Sequence, residues 1–390
     1  MSYQITLRYS DGVTRAMPVA AGQTMLDAAD SLNVPIVSEC QSGVCGTCVG
    51  RCVDGAYDAG HTPGLSQHER DEGRILCCQA LAKSDCTIEL DYPFAGNAAH
   101  LVSGTARLAE LERLSPNTVR LVLDVSAMPE ALVYKAGQFA QIRVPGGNVW
   151  RSYSFLTDVA DEGRLEFLIR LQPHGAMSDY LTAHAKVGDL LDIRGGKGGF
   201  YLRDTQAPVL LVAGGTGLSG VLAIARQLAR QKHTAPVRLL YGVTEAEDLV
   251  LTERLVVLEA RMADFKWQAI VQNPSSDWTG KRGFVTDLLD DEILSDGHTE
   301  AYLCGPAPMV EAVRERLDKR GHRAIELYFE KFLPTGSRRA AETNARPAID
   351  MARMAGEGAR VALVIGGSIA GMATARVLAD HYDRVIIIEK

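Results

Sequence analysis

The sequence predicts a multidomain chain: a small α+β domain, an antiparallel β-barrel, an α/β domain with a parallel sheet, and a partial βαβ unit at the end. Three observations carry this. The length of 390 residues implies two to four domains, with ample chain to bury several cores. Strand-like runs broken by Gly and Pro dominate up to about residue 203, whereas strands and helical stretches alternate from about 206 to 333. Charged residues make up 23% and hydrophobic residues 46%, the balance of globular protein and not of disorder.

The net charge of -7 comes with no basic stripe for phosphate contacts, which argues against nucleic acid. An acidic surface could still steer a basic protein partner. The opening MSYQITLRYSDG alternates like a strand and lacks the layout of a signal peptide. The stretch from Ala207 to Ala225 carries no charge, but its centre is Gly214-Gly215-Thr216-Gly217, so it reads as strand, turn and helix and not as a membrane span. Without an export signal, 8 cysteines point to a reducing cytoplasm and to metal or redox chemistry.

In order, residues 1–96 open with a hairpin, Tyr3 to Tyr9 and Thr14 to Val19 around a Ser10-Asp11-Gly12-Val13 turn. A short helix from Thr24 to Ser31 has Thr24 as its N-cap, and a cysteine loop and a closing strand, Thr87 to Leu90, follow. Pro93 to Asn97 reads as a linker. Residues 100–203 hold strand patterns at Thr105 to Leu111, Val119 to Val125, Gln138 to Val144 and Leu165 to Leu171, with few helix signals, which suits a small barrel. Residues 206–333 alternate Val209 to Ala213, Val237 to Val243, Trp267 to Val271 and Glu300 to Cys304 with helical stretches, the pattern of a parallel sheet with crossover helices. Residues 334–358 read as a polar linker and 359–390 as a partial dinucleotide-type βαβ segment.

Cys40, Cys45 and Cys48 have the spacing C-x4-C-x2-C, with Cys78 far downstream, the plant-type [2Fe–2S] pattern. Three cysteines at fixed offsets would arise by chance about 0.003 times in such a chain. Ser42, Gly43, Gly46 and Thr47 are small, and the glycines allow positive φ where the loop wraps a cluster. Zinc is the rival, since Cys45-x2-Cys48 alone would suit it; against zinc, the later Cys77 and Cys78 are adjacent and not spaced as a second pair. Leu76-Cys77-Cys78-Gln79 resembles the Leu-x-Cys-Gln of plant-type ferredoxins, which makes Cys78 the fourth ligand. Cys77, Cys52 and Cys86 read as small buried residues.

Arg151-Ser152-Tyr153-Ser154, shortly after Gly137-Gln138-Phe139, resembles the Arg-x-Tyr-Ser motif of the ferredoxin–NADP reductase superfamily. That resemblance implies FAD, with Arg151 on the pyrophosphate, Tyr153 against the isoalloxazine and the Ser154 hydroxyl near flavin N5. It also implies that Gly175-Ala176-Met177-Ser178 offers backbone N–H groups to the pyrophosphate at a helix N-terminus. In isolation the four-residue motif also suits a solvated strand edge; its order after a barrel pattern and before a glycine turn favours the flavin. Gly214-Gly215-Thr216-Gly217, between an apolar strand and a helix, would let a nucleotide phosphate approach. Cys304-Gly305-Pro306 resembles the family's Cys-Gly-Pro beside the nicotinamide, although a packed core thiol is the plain alternative for Cys304. Phe329-Glu330-Lys331-Phe332 resembles the family's terminal segment, which places Phe332 near the flavin. Ser154, Cys304 and Glu330 are the residues assigned to catalysis. The loop Thr244-Glu245-Ala246-Glu247-Asp248 carries three carboxylates and no Arg or Lys, which favours NADH over NADPH.

The order of modules over about residues 1–333 resembles the reductase of benzoate-type ring-hydroxylating dioxygenases, as in anthranilate and toluate systems. It implies hydride transfer from NADH to FAD, then single electrons through a low-potential cluster, on the order of −400 mV, to a terminal oxygenase. Two alternatives are the reductase of a di-iron phenol or alkane hydroxylase, and an electron-carrier or docking module with a vestigial nicotinamide domain. The end of the chain departs from the family. A strand at Val361 to Ile365, a Gly366-Gly367-Ser368-Ile369-Ala370-Gly371 turn, a helix, and a strand from Arg384 before Glu389 read as the start of a second flavoprotein domain cut short, or as a docked appendage.

Overall fold

The computed structural model describes residues 2–38, 41, 43–65, 67–94, 102–159, 163–290, 299–319, 326–332, 361–365 and 384–388. Met1–Arg338 form one body and Arg339–Lys390 another.

The first sheet of the larger body begins with the hairpin β1 (Ser2–Tyr9) and β2 (Thr14–Ala20), joined at the expected turn. Ile5, Leu7, Met17 and Val19 point to one buried face by strand alternation. Helix α1 (Met25–Ser31) covers them with Met25, Leu26, Ala28 and Ala29, and the Thr24 hydroxyl caps it by accepting from the Asp27 N–H at 3.1 Å. The chain continues through β3 (Val49–Asp54), β4 (Tyr57–Asp58), α2 (Gln67–Asp71), β5 (Arg74–Leu76), β6 (Leu81–Ala82) and β7 (Cys86–Leu90). Strand β7 returns parallel to β1, giving the order β2-β1-β7-β3-β5 with β4 and β6 as a separate small ladder.

The second sheet is antiparallel: β8 (Ser103–Ser115), β9 (Thr118–Asp124), β10 (Phe139–Arg143), β11 (Trp150–Ser154), β12 (Arg164–Arg170), then α3 (Ala176–Ala183) and β13 (Leu190–Lys197). Its order is β11-β10-β13-β8-β9-β12. A bridge between Phe155 and Phe167, with the Leu156 N–H donating to Glu166 O at 2.8 Å, joins the two edges and closes a barrel around Leu121, Ile142, Phe155, Phe167 and Ile193.

The third sheet is parallel among its long strands. It comprises β14 (Val209–Gly214), α4 (Leu218–Arg230), β15 (Val237–Val243), α5 (Thr252–Arg261), β16 (Phe265–Val271), β17 (Lys281–Arg282), β18 (Glu300–Pro306), α6 (Ala307–Lys319) and β19 (Glu326–Phe332). Strand β14 is apolar throughout because both its faces are covered: Val209, Leu211 and Ala213 join one core cluster, Leu210 and Val212 the other. The order β17-β16-β15-β14-β18-β19 means the chain runs outward from β14 and then restarts beside it. The crevice between the ends of β14 and β18 is therefore the switch point at which open α/β sheets bind ligands.

Polar contacts tie barrel to parallel sheet. Glu166 accepts from Arg254 at 2.9 Å and the Leu168 N–H donates to Ser219 Oγ at 3.2 Å. In the smaller body β20 (Val361–Ile365) and β21 (Arg384–Ile388) pair in parallel, Val361 opposite Arg384, as a βαβ unit requires. The expected glycine turn at 366–371, the helix after it, Glu389, and the linker 334–358 lie outside the described residues, as do Ala95 to Asn97 of the first linker.

Candidate functional site

Cys45, Cys48 and Cys78 are brought together under the loop after α1, at 3%, 2% and 5% exposure; Cys40 lies outside the described residues. The Cys48 and Cys78 thiols hydrogen-bond one another, and that bond with burial holds the Cys48 thiol well above its usual range. A neighbouring buried thiol pair is what one iron of a two-iron cluster takes, and a bound cation removes the protons. The Gln79 side-chain amide points its N–H at Cys78 Sγ, 3.9 Å away. Gly43 and Gly46 have φ of 77° and 80°, and a Cβ on Gly43 would stand 2.3 Å from His61 O, so the loop closes on bare backbone. The residues fit a [2Fe–2S] cluster. Cys77, adjacent to Cys78, instead points into the apolar core with no exposure, and burial pushes its thiol to about 12. Cys86 is buried as expected, but Cys52 is only partly buried, packed against the edge of that core.

Arg151, Ser152, Tyr153 and Ser154 form β11, in register with β10 so that Ser154 sits opposite Phe139. Arg151 is half-buried and donates to Trp150 O at 3.1 Å. Gly175 precedes α3 with no side-chain cap, leaving the first N–H groups of that helix to a ligand. Met177 is packed in the barrel core, so it can serve a pyrophosphate only through its backbone, whereas Ser178 Oγ accepts from the Gln172 N–H at 2.8 Å and keeps its own O–H as a donor.

In the parallel sheet the turn Gly214-Gly215-Thr216-Gly217 is a 3₁₀ turn leading into α4, again without a side-chain cap. It lies against Cys304-Gly305-Pro306: a Cβ on Gly217 would fall 2.1 Å from Cys304 O, and one on Gly305 3.0 Å from Gly214 Cα. Strand β18 continues to Pro306, two residues beyond the expected end, because β19 pairs with it as far as Phe332. That register sets Cys304 opposite Glu330.

The barrel and the parallel sheet meet at one point. Ser154 Oγ donates to Glu330 Oε2 at 2.9 Å, and the Cys304 thiol lies 3.9 Å from the same oxygen, all three side chains buried. A hydroxyl from the barrel and a thiol and a carboxylate from the parallel sheet there form one buried cluster that can hold a proton.

Two features differ from the sequence reading. Asp248 is 3% exposed and turns inward, accepting from Ser115 at 3.2 Å and pairing with Arg170 at 3.5 Å. It is a strut between barrel and sheet, so Glu245 and Glu247 remain as the carboxylates of that loop. Phe329 packs against the cysteine loop, where a Cβ on Gly46 would lie 2.6 Å from its ring, while Glu330 and Phe332 face the other way. Alternation along Glu326–Phe332 was the available signal, but Glu326 and Lys331 mask the strand.

Residues 8–83 match the 2Fe-2S iron-sulfur cluster binding domain, 105–201 the oxidoreductase FAD-binding domain and 211–315 the oxidoreductase NAD-binding domain. The chain is 35% identical over 340 residues, 86% of its length and 99% of the relative's, to the anthranilate 1,2-dioxygenase electron transfer component of Acinetobacter baylyi. It is 36% identical over 337 residues, 85% of its length and 99% of the relative's, to the toluate 1,2-dioxygenase electron transfer component of Pseudomonas putida. Among solved structures, an Amycolatopsis cytochrome P450 reductase superposes with a TM-score of 0.61 at 28% identity, covering 85% of this chain and 99% of that one. With iron–sulfur, FAD and NAD domains in this order, the chain belongs to the family of electron transfer components of benzoate-type aromatic-ring dioxygenases, and is an oxidoreductase.

Proposed function

We propose that this chain draws electrons from NADH and delivers them singly to the terminal oxygenase component of a benzoate-type ring-hydroxylating dioxygenase. The observation that carries the reading is the meeting of Ser154, Cys304 and Glu330, with Phe329 of the same strand touching the cysteine loop. When bound, FAD would supply the conversion of a hydride's electron pair into single electrons, and a [2Fe–2S] cluster would supply their exit.

The chain's own residues hold and orient. Arg151, Ser152, Tyr153 and the α3 N-terminus with Gly175, Met177 and Ser178 bind FAD. Gly214, Gly215, Thr216 and Gly217, with Cys304, Gly305 and Pro306, bind the dinucleotide, and Phe332 borders the flavin. Ser154 and Glu330 hold a proton between Oγ and Oε2 and would exclude water from the reacting edge of a bound flavin. Cys40, Cys45, Cys48 and Cys78 ligate the cluster. We assign residues 1–96, 100–203 and 206–333 to these three tasks, 334–358 to a linker and 359–390 to a segment outside electron transfer.

A cytoplasmic setting is supported by the cysteines, none of which is in a disulfide among the described residues. Among the described residues no helix is long and apolar enough to cross a membrane. The test is reconstitution of NADH-driven oxygenation with purified terminal components. Turnover with a benzoate-type oxygenase supports the proposal, and turnover with a di-iron hydroxylase alone would replace it.

A further inference from the structure

Three buried charges, Glu69, Arg314 and Lys331, and the half-buried Glu311 link α2 of the cysteine-bearing domain to α6 and β19 of the nucleotide domain. Lys331, 3% exposed, donates from Nζ to Gly64 O at 2.8 Å and pairs with Glu311. Arg314, 4% exposed, reaches the same carbonyl at 3.5 Å, meets Glu311 at 3.2 Å and pairs with Glu69 on α2. Both cations lie over the Phe329 ring, 4.6 and 4.8 Å from its centroid, and that ring lies against Gly46 between two thiols of the cluster loop.

Two cations and two anions sum to zero, so the network adds little net field at the cluster. Its effect is geometric. Removing one member leaves this largely buried cluster with one uncompensated charge, which favours opening the contact so that water can solvate it. The ion pair from the cysteine-bearing domain to the barrel, Arg203 with Asp91 at 3.5 Å, has an exposed carboxylate and is correspondingly weaker.

We infer that Glu69, Arg314, Glu311 and Lys331 form a docking latch that seats the cysteine loop on Phe329 and so fixes the span between flavin site and cluster. These are positioning residues for the one-electron step and spectators of hydride transfer; the inference rests on the function proposed above. Because Glu330 follows Phe329 directly, a loop seated on Phe329 is also held at a fixed distance from Ser154 and Cys304.

The test uses the full-length holoenzyme, wild type, Glu69→Gln, Lys331→Met and the double variant, mixed anaerobically with NADH. Flavin and cluster reduction are followed separately, and the cluster midpoint potential is measured by titration. Flavin reduction should stay within about twofold of wild type while cluster reduction slows at least tenfold at an unchanged potential. The double variant should be no slower than the worse single one, because both open the same contact. Glu69→Asp, which keeps the charge, should recover most of the rate. Wild-type cluster reduction in Glu69→Gln, or slowing fully matched by a shifted potential, overturns the latch. Should Lys331→Met fail to fold, Glu69→Gln decides alone. A wild-type cluster that NADH does not reduce would instead remove the underlying functional reading.

Discussion

Gly217→Ala is the most direct perturbation of the nucleotide crevice. Gly217 has an ordinary helical backbone, φ −60° and ψ −15°, so the substitution brings no torsional penalty. Its added Cβ, however, would stand 2.1 Å from Cys304 O, 2.5 Å from Cys304 C and 2.9 Å from Gly305 N. All three are backbone atoms of β18, which cannot rotate away as a side chain would. Relief requires the two turns to part by roughly 1.4 Å, since carbon contacts settle near 3.5 Å or more. Overpacking of this kind costs typically 1–3 kcal/mol, and a clash with backbone belongs at the upper end, about 3 kcal/mol. For a domain of this size that lowers Tm by roughly 6–12 °C. Because the crevice itself widens, the KM for NADH should rise at least tenfold, about 1.4 kcal/mol, in ferricyanide reduction, with flavin content and the cluster signal retained. The control is Gly215→Ala. Gly215 has φ of +53° with nothing within 4 Å of its Cβ, so it should cost only about 1–2 kcal/mol of backbone strain. A Gly217→Ala protein that melts and binds NADH like wild type, or a Gly215→Ala protein that is the worse of the two, refutes the reasoning.

Three further outcomes are expected. Cys78→Ser or Cys48→Ser should lose most of the [2Fe–2S] paramagnetic signal after dithionite while NADH–ferricyanide activity persists; a full signal in Cys78→Ser with loss in Cys77→Ser would move the ligand by one residue. NADH should exceed NADPH at least tenfold in kcat/KM, about 1.4 kcal/mol, through Glu245 and Glu247, and equal efficiency would sink the charge argument. A chain ending at Gly336 should match the full chain in NADH–cytochrome c reduction, with one flavin per chain in both; two flavins in the full chain, or loss of most activity on truncation, would give residues 340–390 a role.

Local signals were the legible ones. Thr24 before Met25-Leu26 announced a capped helix, and the spacing of Cys45 and Cys48 announced a thiolate site, because both patterns are complete within a few residues. The apolar run into Gly214 was equally plain, since a strand buried on both faces needs no alternation. By contrast β13 escaped notice: Arg194, Gly195 and Gly196 break its apolar pattern. Gly195 is nevertheless a strand residue, because a Cβ there would lie 2.9 Å from Ala140 Cα of the neighbouring strand.

Asp248 and Lys331 show the deeper limit. Each has the composition of a surface residue and a flank of other charges, and nothing in its neighbourhood along the chain marks it as buried. What buries Asp248 is Ser115, 133 positions earlier, and what buries Lys331 is Gly64 O, 267 positions earlier. A periodicity reading sees one element at a time, so it finds the groups that bind within a domain and misses those that hold domains together. The register of β18 with β19 lies between these cases. Cys304 and Glu330 were each visible as motif residues, but only parallel pairing puts them side by side, with Ser154 reaching Glu330 from the barrel. The meeting of Ser154, Cys304 and Glu330 is therefore a property of two sheets packed together, and it should respond to changes in the Asp248 and Glu166 contacts that join barrel to nucleotide domain as well as to changes in its own side chains.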